Sequence, residues 1–470
     1  MSTTPESKPS KVHDAVIPAA VFLPFALVTT LFALWGFAND ITNPLVKAFK
    51  EIFLISNKQS SLVQTAFYGG YATMALPAAI FIRRFSYKAG ILVGLALYAT
   101  GAMLFIPASM MMQFWLFLVA LYVLTFGLAF LETTANPYVL AMGPESTATR
   151  RLNFAQAFNP IGSLVGMVVA SNFILVNLEV SNFREQEMAA HPEYANMMPG
   201  EVDGKIDAAL REFSKTNPEE HKAMQESDLN TIRIPYVTIG LVIVGMLIVF
   251  AVTKLPRAGG DDRHVHLLET FSRLIGNPRY VGGVIAQTFY VGAQIMCWTY
   301  IIHYAMGTLK MSAATAQNHN IVAMVIFCSS RFICTYMLKY VSPGGLLMSL
   351  ALGGMALSAG TIFIEGYTGL YCLIGISACM SLMFPTIYGI ALDGLGEDAK
   401  LGSAGLIFAI VGGALMPPLQ GSIIDMGDSA GNMDLGFMTL PAVSFSFILP
   451  FICFVVIAIY GFVTHYFYNE

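Results

Sequence analysis

An acid in the middle of an apolar run is the first residue of this chain equipped for chemistry. From Phe114 to Met142, Glu132 is the only charged side chain, so it lies at hydrocarbon depth and cannot reach water past either end of its helix. Acids near the centre of a membrane helix cost roughly 2.5–3.5 kcal/mol on insertion scales and face a bundle interior or a wet cavity. Water-poor surroundings penalise a bare carboxylate, so an acid that takes up and releases a proton there is a candidate proton carrier. The competing reading is a structural hydrogen bond between two helices.

A second polar cluster follows LFALWGFA. Asn39 precedes Asp40, and Gly36, Asp40, Asn43 and Lys47 share one helical face, as residues three and four apart do. An acid beside amides suits a polyhydroxylated solute, whose hydroxyls need acceptors and donors. The alternative places Asp40 at the outer interface, paired with Lys47. Gln64, Tyr68 and Tyr71 line one side of the next apolar run, and Asn153, Gln156 and Asn159 line a later one. A single membrane amide contributes only ~0.6 kcal/mol of interhelical glue, but three on one face argue for a wet cavity. The second half of the chain adds Gln287, Tyr290, Gln294 and Trp298 along a stripe, then Asn318, then Phe384, Pro385 and Tyr388. Aromatic faces pack on sugar C–H surfaces while amides bind hydroxyls. Arg331 reads as a side chain that snorkels to the inner interface with no transport role.

The elements that must hold these residues are transmembrane helices. The chain is 56% hydrophobic and 11% charged, against about 25% charged for soluble domains. Windows of about 20 apolar residues predict twelve spans, at 18–43, 60–82, 88–107, 114–142, 153–178, 232–254, 280–305, 314–338, 344–364, 368–392, 402–424 and 439–466. With the N-terminus cytoplasmic, that side holds Lys8, Lys11, Arg83, Arg84, Lys88, Arg150, Arg151, Lys254, Arg257, Arg263, Arg273, Arg279, Lys339 and Lys400. Outside the long loop, the other side holds only Lys47, Lys50, Lys58 and Lys310. The positive-inside rule therefore puts both termini in the cytoplasm.

The loop 179–233 carries twelve acidic and six basic residues. It reads as a small exterior hat covering the rim, with amphipathic helices at 200–213 and 217–228, the second capped by Asn217 with Pro218 at its first position. The first apolar run is too long for a signal-peptide core and reads as a retained helix. The six cysteines all lie in apolar spans, without a CxxC, and read as buried hydrophobes. His264 and His266 of DDRHVH read as solvated residues of a charged loop rather than as metal ligands. No HExxH, GxSxG or GxxxxGK occurs, so neither an enzyme nor an ATP-driven pump is expected. No cofactor, catalytic residue or nucleic-acid partner is expected either.

The halves repeat. Arg83–Ser86 matches Lys339–Ser342 at an offset of 256, Pro137 matches Pro385 at 248, and Arg151 matches Lys400 at 249. Six helices per half in parallel duplication place a substrate site near mid-membrane between the halves. The expected domains are 1–254, a six-helix half including the outer loop, a cytoplasmic linker 255–279, and a second half 280–470.

The stretches LWGFAND, QTAFYGGY, RRFSYKAGILVGLALYATGA, LETTANPYVLAMGPES, RLNFAQAFNPIG and TFYVGAQIMCWTYIIHY closely resemble the L-fucose/proton symporter (fucose permease) family of the major facilitator superfamily and its glucose- and galactose-transporting relatives. The resemblance implies an all-α major facilitator fold and uptake of a monosaccharide with a proton across a bacterial inner membrane, by a monomer in the lipid bilayer. It implies that Glu132 is the proton-coupling acid of the fourth helix, and that Asn136, Gln156 and Asn159 line the cavity with amides. The pattern departs at three points. The family's helix-one acid falls where Asn43 stands, with Asp40, expected to couple protons beside Glu132, in an asparagine position; Phe384 replaces a tyrosine; Met383 replaces an amide. L-fucose is the expected sugar, with glucose, galactose or N-acetylglucosamine as alternatives. A sugar sensor without flux or a drug/proton antiporter are the other readings. Glu132→Gln is expected to abolish proton-driven sugar accumulation while leaving sugar exchange intact, measured in vesicles; unchanged uphill uptake would remove Glu132 from coupling.

Overall fold

The structure, a computed structural model, describes residues 15–468 except 43–44, 61, 198, 257–266, 310, 312, 365, 428–431, 435 and 437. Spans 1 to 6 are Phe22–Thr42 with its extension Leu45–Phe53, then Leu62–Arg84, Tyr87–Met111, Phe114–Ala141, Glu145–Asn177 and Pro218–Val252. Spans 7 to 12 are Pro278–Leu309, Thr315–Met337, Pro343–Phe363, Tyr367–Leu392, Gly396–Ile424 and Ala442–Phe467. All but span 7 stand out as long and apolar enough to cross a membrane. Span 7 falls short because Gln287, Tyr290, Gln294 and Trp298, the stripe assigned to sugar contact, dilute its apolar middle.

Several boundaries differ from the expected windows. Span 5 begins about two turns early because Arg151, counted as an interfacial cation, is fully buried. Its guanidinium donates to the carbonyls of Val139 (2.7 Å), Leu140, Gly143, Pro144 and Val16, tying the turn between spans 4 and 5 to the start of the chain. The helix expected at 217–228 runs without a break into span 6, as one helix of 35 residues. Asn217 does precede Pro218, but its side chain donates to Glu220 (2.8 Å) instead of accepting a backbone N–H. Before span 12, Asn432–Asp434 and Thr439–Pro441 pair as an antiparallel hairpin, so that helix starts at Ala442.

Each half has the same internal pairing. Span 1 packs on span 5, span 2 on span 4 and span 3 on span 6; six spans on, span 7 packs on 11, 8 on 10 and 9 on 12. The correspondence reaches single residues. A Cβ on Gly162 of span 5 would stand 1.9 Å from the Ala33 carbonyl of span 1, and one on Gly412 of span 11 would stand 2.1 Å from the Thr288 carbonyl of span 7. Only glycine allows either pair of helices to close.

The two halves are latched at one end, here the basic end. Arg83 of span 2 meets Asp398 at the start of span 11 (3.3 Å) and Thr270 of the linker helix Leu267–Ile275 (2.8 Å), while Arg273 of that helix also holds Asp398 (2.8 Å). Lys400 lies over the Tyr87 ring (5.4 Å). Thr149 of span 5 abuts Gly389 of span 10. Among the described residues, every ion pair joining the two halves lies at this end. His264 and His266 lie outside the described residues.

The opposite end carries the hat. Glu179–Ala190 and Pro199–Thr216 fold over the extension of span 1 with their own small core of Tyr194, Val202 and Ile206. The Asp228 carboxylate accepts the backbone N–H groups of Glu179 and Val180, satisfying two orphan donors at the start of the first hat helix. Lys50 pairs with Asp207 (2.6 Å), Lys47 with Asp203 (3.6 Å) and Glu51 (3.9 Å), and Arg184 with Glu51 (3.3 Å) and Asp203. Arg211 and Gln225 donate to the Leu54 and Ile52 carbonyls. The hat therefore does more than cover the rim, because it grips the far end of the helix that carries Asp40.

Burial penalises the Asp203 carboxylate, but Arg184, Lys47 and Lys50 outweigh that and hold it below the usual carboxylate range. A depressed folded-state value contributes stability at neutral pH that is lost as pH falls through it. Lowering the pH from 7 to about 3, below the ordinary aspartate value of ~3.9, is expected to loosen Pro199–Thr216, read as faster hydrogen exchange. Asp203→Asn should show that loosening already at pH 7.

Candidate functional site

The geometry around Glu132 is built by two proline-broken helices. In an α-helix each carbonyl receives the N–H four residues on, and proline has none to give. Pro160 thus orphans the Gln156 carbonyl of span 5, where the helix ends at Gln156 and restarts at Asn159. Pro385 orphans the Ser381 carbonyl of span 10, where the helix ends at Met380 and restarts at Met383. Both carbonyls are satisfied by one side chain. Arg331 of span 8 donates Nη1 to Gln156 O (3.0 Å) and Nε to Ser381 O, its guanidinium 4.6 Å from the Phe327 ring centre. It is 3% exposed. Arg331 therefore does not snorkel: it is buried between the halves and bonds one broken helix of each.

A polar ladder leads from this arginine to the acid. The Gln156 side chain donates to Asn136 Oδ1 (2.7 Å), and Asn136 donates to the Glu132 carbonyl (3.0 Å). Asn153 reaches across the halves to the Thr386 hydroxyl (3.1 Å). The carboxyl itself is left open. Glu132 is 5% exposed and its Oε2 has no hydrogen-bond partner. The Tyr71 hydroxyl of span 2 faces it without completing a hydrogen bond. From the other half, Tyr388 of span 10 lies within electrostatic reach of Glu132, its hydroxyl also buried without a partner.

The other residues singled out from the sequence distribute unevenly. Asp40 and Asn39 are half-buried on span 1, and the Asn39 Oδ1 is a buried acceptor without a donor. Tyr68 lies within electrostatic reach of Asp40 and against Gly413 of span 11. Asn43 lies outside the described residues. Asn159 donates to the Phe32 carbonyl (3.2 Å), linking spans 1 and 5. Gln64 and Asn318 are exposed near the hat ends of spans 2 and 8, away from the ladder. Gln294 is half-buried, as is Trp298, whose Nε1 donates to Ser377 (3.3 Å) and whose ring meets Phe327 edge-on. Phe384 lies between the Tyr290 and Tyr388 rings. The Tyr290 hydroxyl is spent on the Met380 carbonyl at the break in span 10 (3.1 Å), so it braces the site.

Three further residues belong here. Tyr71 faces the acid, Tyr388 lies within electrostatic reach of it, and Gln287 is fully buried with both amide atoms unpaired. All three fall on the polar stripes visible in sequence, but only Glu132's position in space separates them from ordinary core aromatics and amides. Arg331 gave no such signal, because its acceptors are backbone atoms of other spans.

Two six-helix halves enclosing a buried acid and a ladder of amides have the architecture of a membrane transporter. Residues 27–180 match the Major Facilitator Superfamily. The chain is 54% identical over 453 residues to the L-fucose-proton symporter of Haemophilus influenzae, covering 96% of this chain and 98% of the relative. It is 35% identical to the L-fucose-proton symporter of Escherichia coli (93% and 94% covered), and 31% to a glucose/galactose transporter of Brucella abortus (93% of each). The crystal structure of FucP, a Major Facilitator Superfamily transporter in the outward conformation, superimposes with a TM-score of 0.79 at 34% identity, over 94% of this chain and 98% of that one. The chain belongs to the L-fucose–proton symporter family of the Major Facilitator Superfamily.

Arg331→Ala is expected to orphan both carbonyls, each at about 1–3 kcal/mol, and to weaken the seal between spans 5 and 10. A cysteine introduced at Thr149 should then react with a membrane-impermeant thiol reagent from the basic side at least several-fold faster.

Proposed function

We propose that this protein imports L-fucose together with a proton across a bacterial inner membrane by alternating access, working as a monomer with its basic end, and both termini, in the cytoplasm. The observation that carries the proton coupling is Glu132: buried, with one oxygen unpaired, and faced by the Tyr71 phenol of span 2. The sugar assignment rests on the two fucose-symporter relatives. The domain reading, two halves at 1–254 and 280–470 joined by a linker at 255–279, is supported by the pairing of spans that repeats after six.

In this mechanism a proton from the hat side neutralises Glu132 and removes the cost of enclosing a bare carboxylate. The sugar binds between Asn39, Asp40, Gln156, Asn159, Gln294, Trp298 and Phe384, whose amides and acid meet hydroxyls while the rings meet C–H faces. Closure at the hat side and release of the Arg83–Asp398 and Asn153–Thr386 contacts then open the basic end. A charge crossing 100 mV gains about 2.3 kcal/mol, roughly a fiftyfold concentration ratio, enough to scavenge a dilute sugar.

Purified protein in proteoliposomes is expected to accumulate radiolabelled L-fucose when the outer pH is lower. Glucose, galactose and N-acetylglucosamine should compete weakly. Stronger competition by glucose or galactose than by unlabelled fucose would reassign the sugar, and binding without flux would make the protein a sensor.

A further inference from the structure

Spans 3 and 6 run antiparallel side by side, and their main neighbours all belong to the first half. Arg233 of span 6 meets Ser109 of span 3 at the hat end (3.3 Å), and Lys88 of span 3 meets the Ala251 carbonyl at the basic end (2.8 Å). Between those contacts the seam is not closed. Two recesses open along it on the lipid side: an upper one of about 410 Å³ bordered by Ile106, Arg233, Val237 and Thr238, and a lower one of about 510 Å³ bordered by Ala99, Thr100, Met103, Pro107, Val244 and Leu247. Gly240 marks the waist between them, where a Cβ would stand 2.9 Å from the tip of Met103, a flexible thioether that can adapt to a guest.

The walls of this groove suit a hydrocarbon chain. Thr100 and Thr238 donate their hydroxyl protons to carbonyls of their own helices, Ala96 (2.8 Å) and Ile234 (2.9 Å), and the rest of the lining below Arg233 is apolar. At the top stands a cation. Arg233 donates to Ser109 and to the Asn230 side chain, both neutral, and among the described residues no carboxylate pairs with it. Lys47, Lys50 and Arg184, on the same side of the protein, each hold an acid of the hat or of the span 1 extension. Trp115, 56% exposed, lies at the same end of span 4, and exposed tryptophan marks the boundary between headgroups and hydrocarbon. Arg233 is therefore an uncompensated charge at headgroup depth, where the anion within reach is a lipid phosphate. Arginine binds phosphate through short, charge-assisted hydrogen bonds.

We propose that the seam between spans 3 and 6 holds one anionic phospholipid of the hat-side leaflet, its phosphate on Arg233 and one acyl chain in the groove. The dimensions agree. From Arg233 to Leu247 the seam is roughly 21 Å long at 1.5 Å per residue, against ~15 Å for half of the hydrocarbon core. A chain entering beside Arg233 therefore stays in the groove through the whole depth of its leaflet. Spans 3 and 6 belong to the same half, so alternating access does not part them, and the lipid remains in place whichever end is open. The site is thus independent of the sugar and of the proton.

Native mass spectrometry of the purified full-length protein tests this, with phosphatidylglycerol and phosphatidylcholine of identical acyl chains as probes. Wild type is expected to retain phosphatidylglycerol over phosphatidylcholine by about fivefold, the effect of one basic residue against anionic lipid. Arg233→Gln should retain the two equally, while Arg233→Lys, which keeps the charge, should keep most of the preference. Thr100→Phe, at an exposed position on the groove wall, should lower retention of both lipids several-fold. Adding L-fucose should change none of these results. Equal retention of both lipids by wild type would reduce the groove to ordinary contact with the bilayer, and an unchanged preference in Arg233→Gln would remove the arginine; either overturns the proposal. So would a dimer that Thr100→Phe dissociates, because the groove would then be occupied by a second copy of the chain.

Discussion

Hydrocarbon offers no hydrogen bonds, and every polar group placed in it must find a partner inside the protein. Most of this structure is arranged around that constraint. Arg151 uses its guanidinium on the carbonyls of one tight turn. Arg331 fills the two vacancies made by Pro160 and Pro385. Asn136, Gln156 and Asn153 are each bonded to a neighbouring span or to their own helix. Against that background, the unpaired atoms of Glu132, Tyr71, Tyr388, Gln287 and Asn39 form a pattern. They lie on spans 1, 2, 4, 7 and 10, which come from both halves. An unpaired buried polar group is expensive; under the proposed function a proton would meet the acid and sugar hydroxyls the amides.

The same constraint explains why the halves are joined as they are. A helix broken at mid-membrane is tolerated only where the freed carbonyl is satisfied by other protein groups or by water. Spans 5 and 10 belong to different halves, and one arginine from span 8 satisfies both breaks. Separating spans 5 and 10 must release at least one of its bonds. The vacated carbonyl then needs water, which enters only when that end of the bundle opens. Arg331 thus makes the closed arrangement dry and the open one wet, with few states between.

Much of this was legible in the sequence, and the limits have physical causes. Span positions follow from apolar runs long enough to cross a bilayer, and Glu132 stands out because no other charge shares its run. Pro137, Pro385, Arg151 and Lys400 reveal the duplication because its structural constraints recur at a near-constant offset. What stayed hidden depends on partners distant in the chain. Arg331 resembles a snorkelling residue until the orphaned carbonyls, 175 and 50 positions away, are brought beside it. Tyr290 resembles a sugar platform until its hydroxyl is found on the Met380 carbonyl. The hat looked like solvated acidic helix because its basic partners, Lys47 and Lys50, lie in a different segment.

The duplication also shows where the two halves part company. Features that hold helices together are kept in both: the glycine contacts of Gly162 and Gly412, and the buried cations Arg151 and Lys400. The chemistry is not kept. Both membrane acids, Asp40 and Glu132, belong to the first half. The second half contributes Gln287, Gln294, Trp298 and Phe384, which form hydrogen bonds or stack but do not exchange protons near neutral pH. The second half brings no acid to this region, and its buried cation there, Arg331, is engaged by backbone carbonyls. Under the proposed function, closing over an ionised, empty site would enclose a bare carboxylate, whereas closing with proton and sugar aboard would give the buried atoms partners.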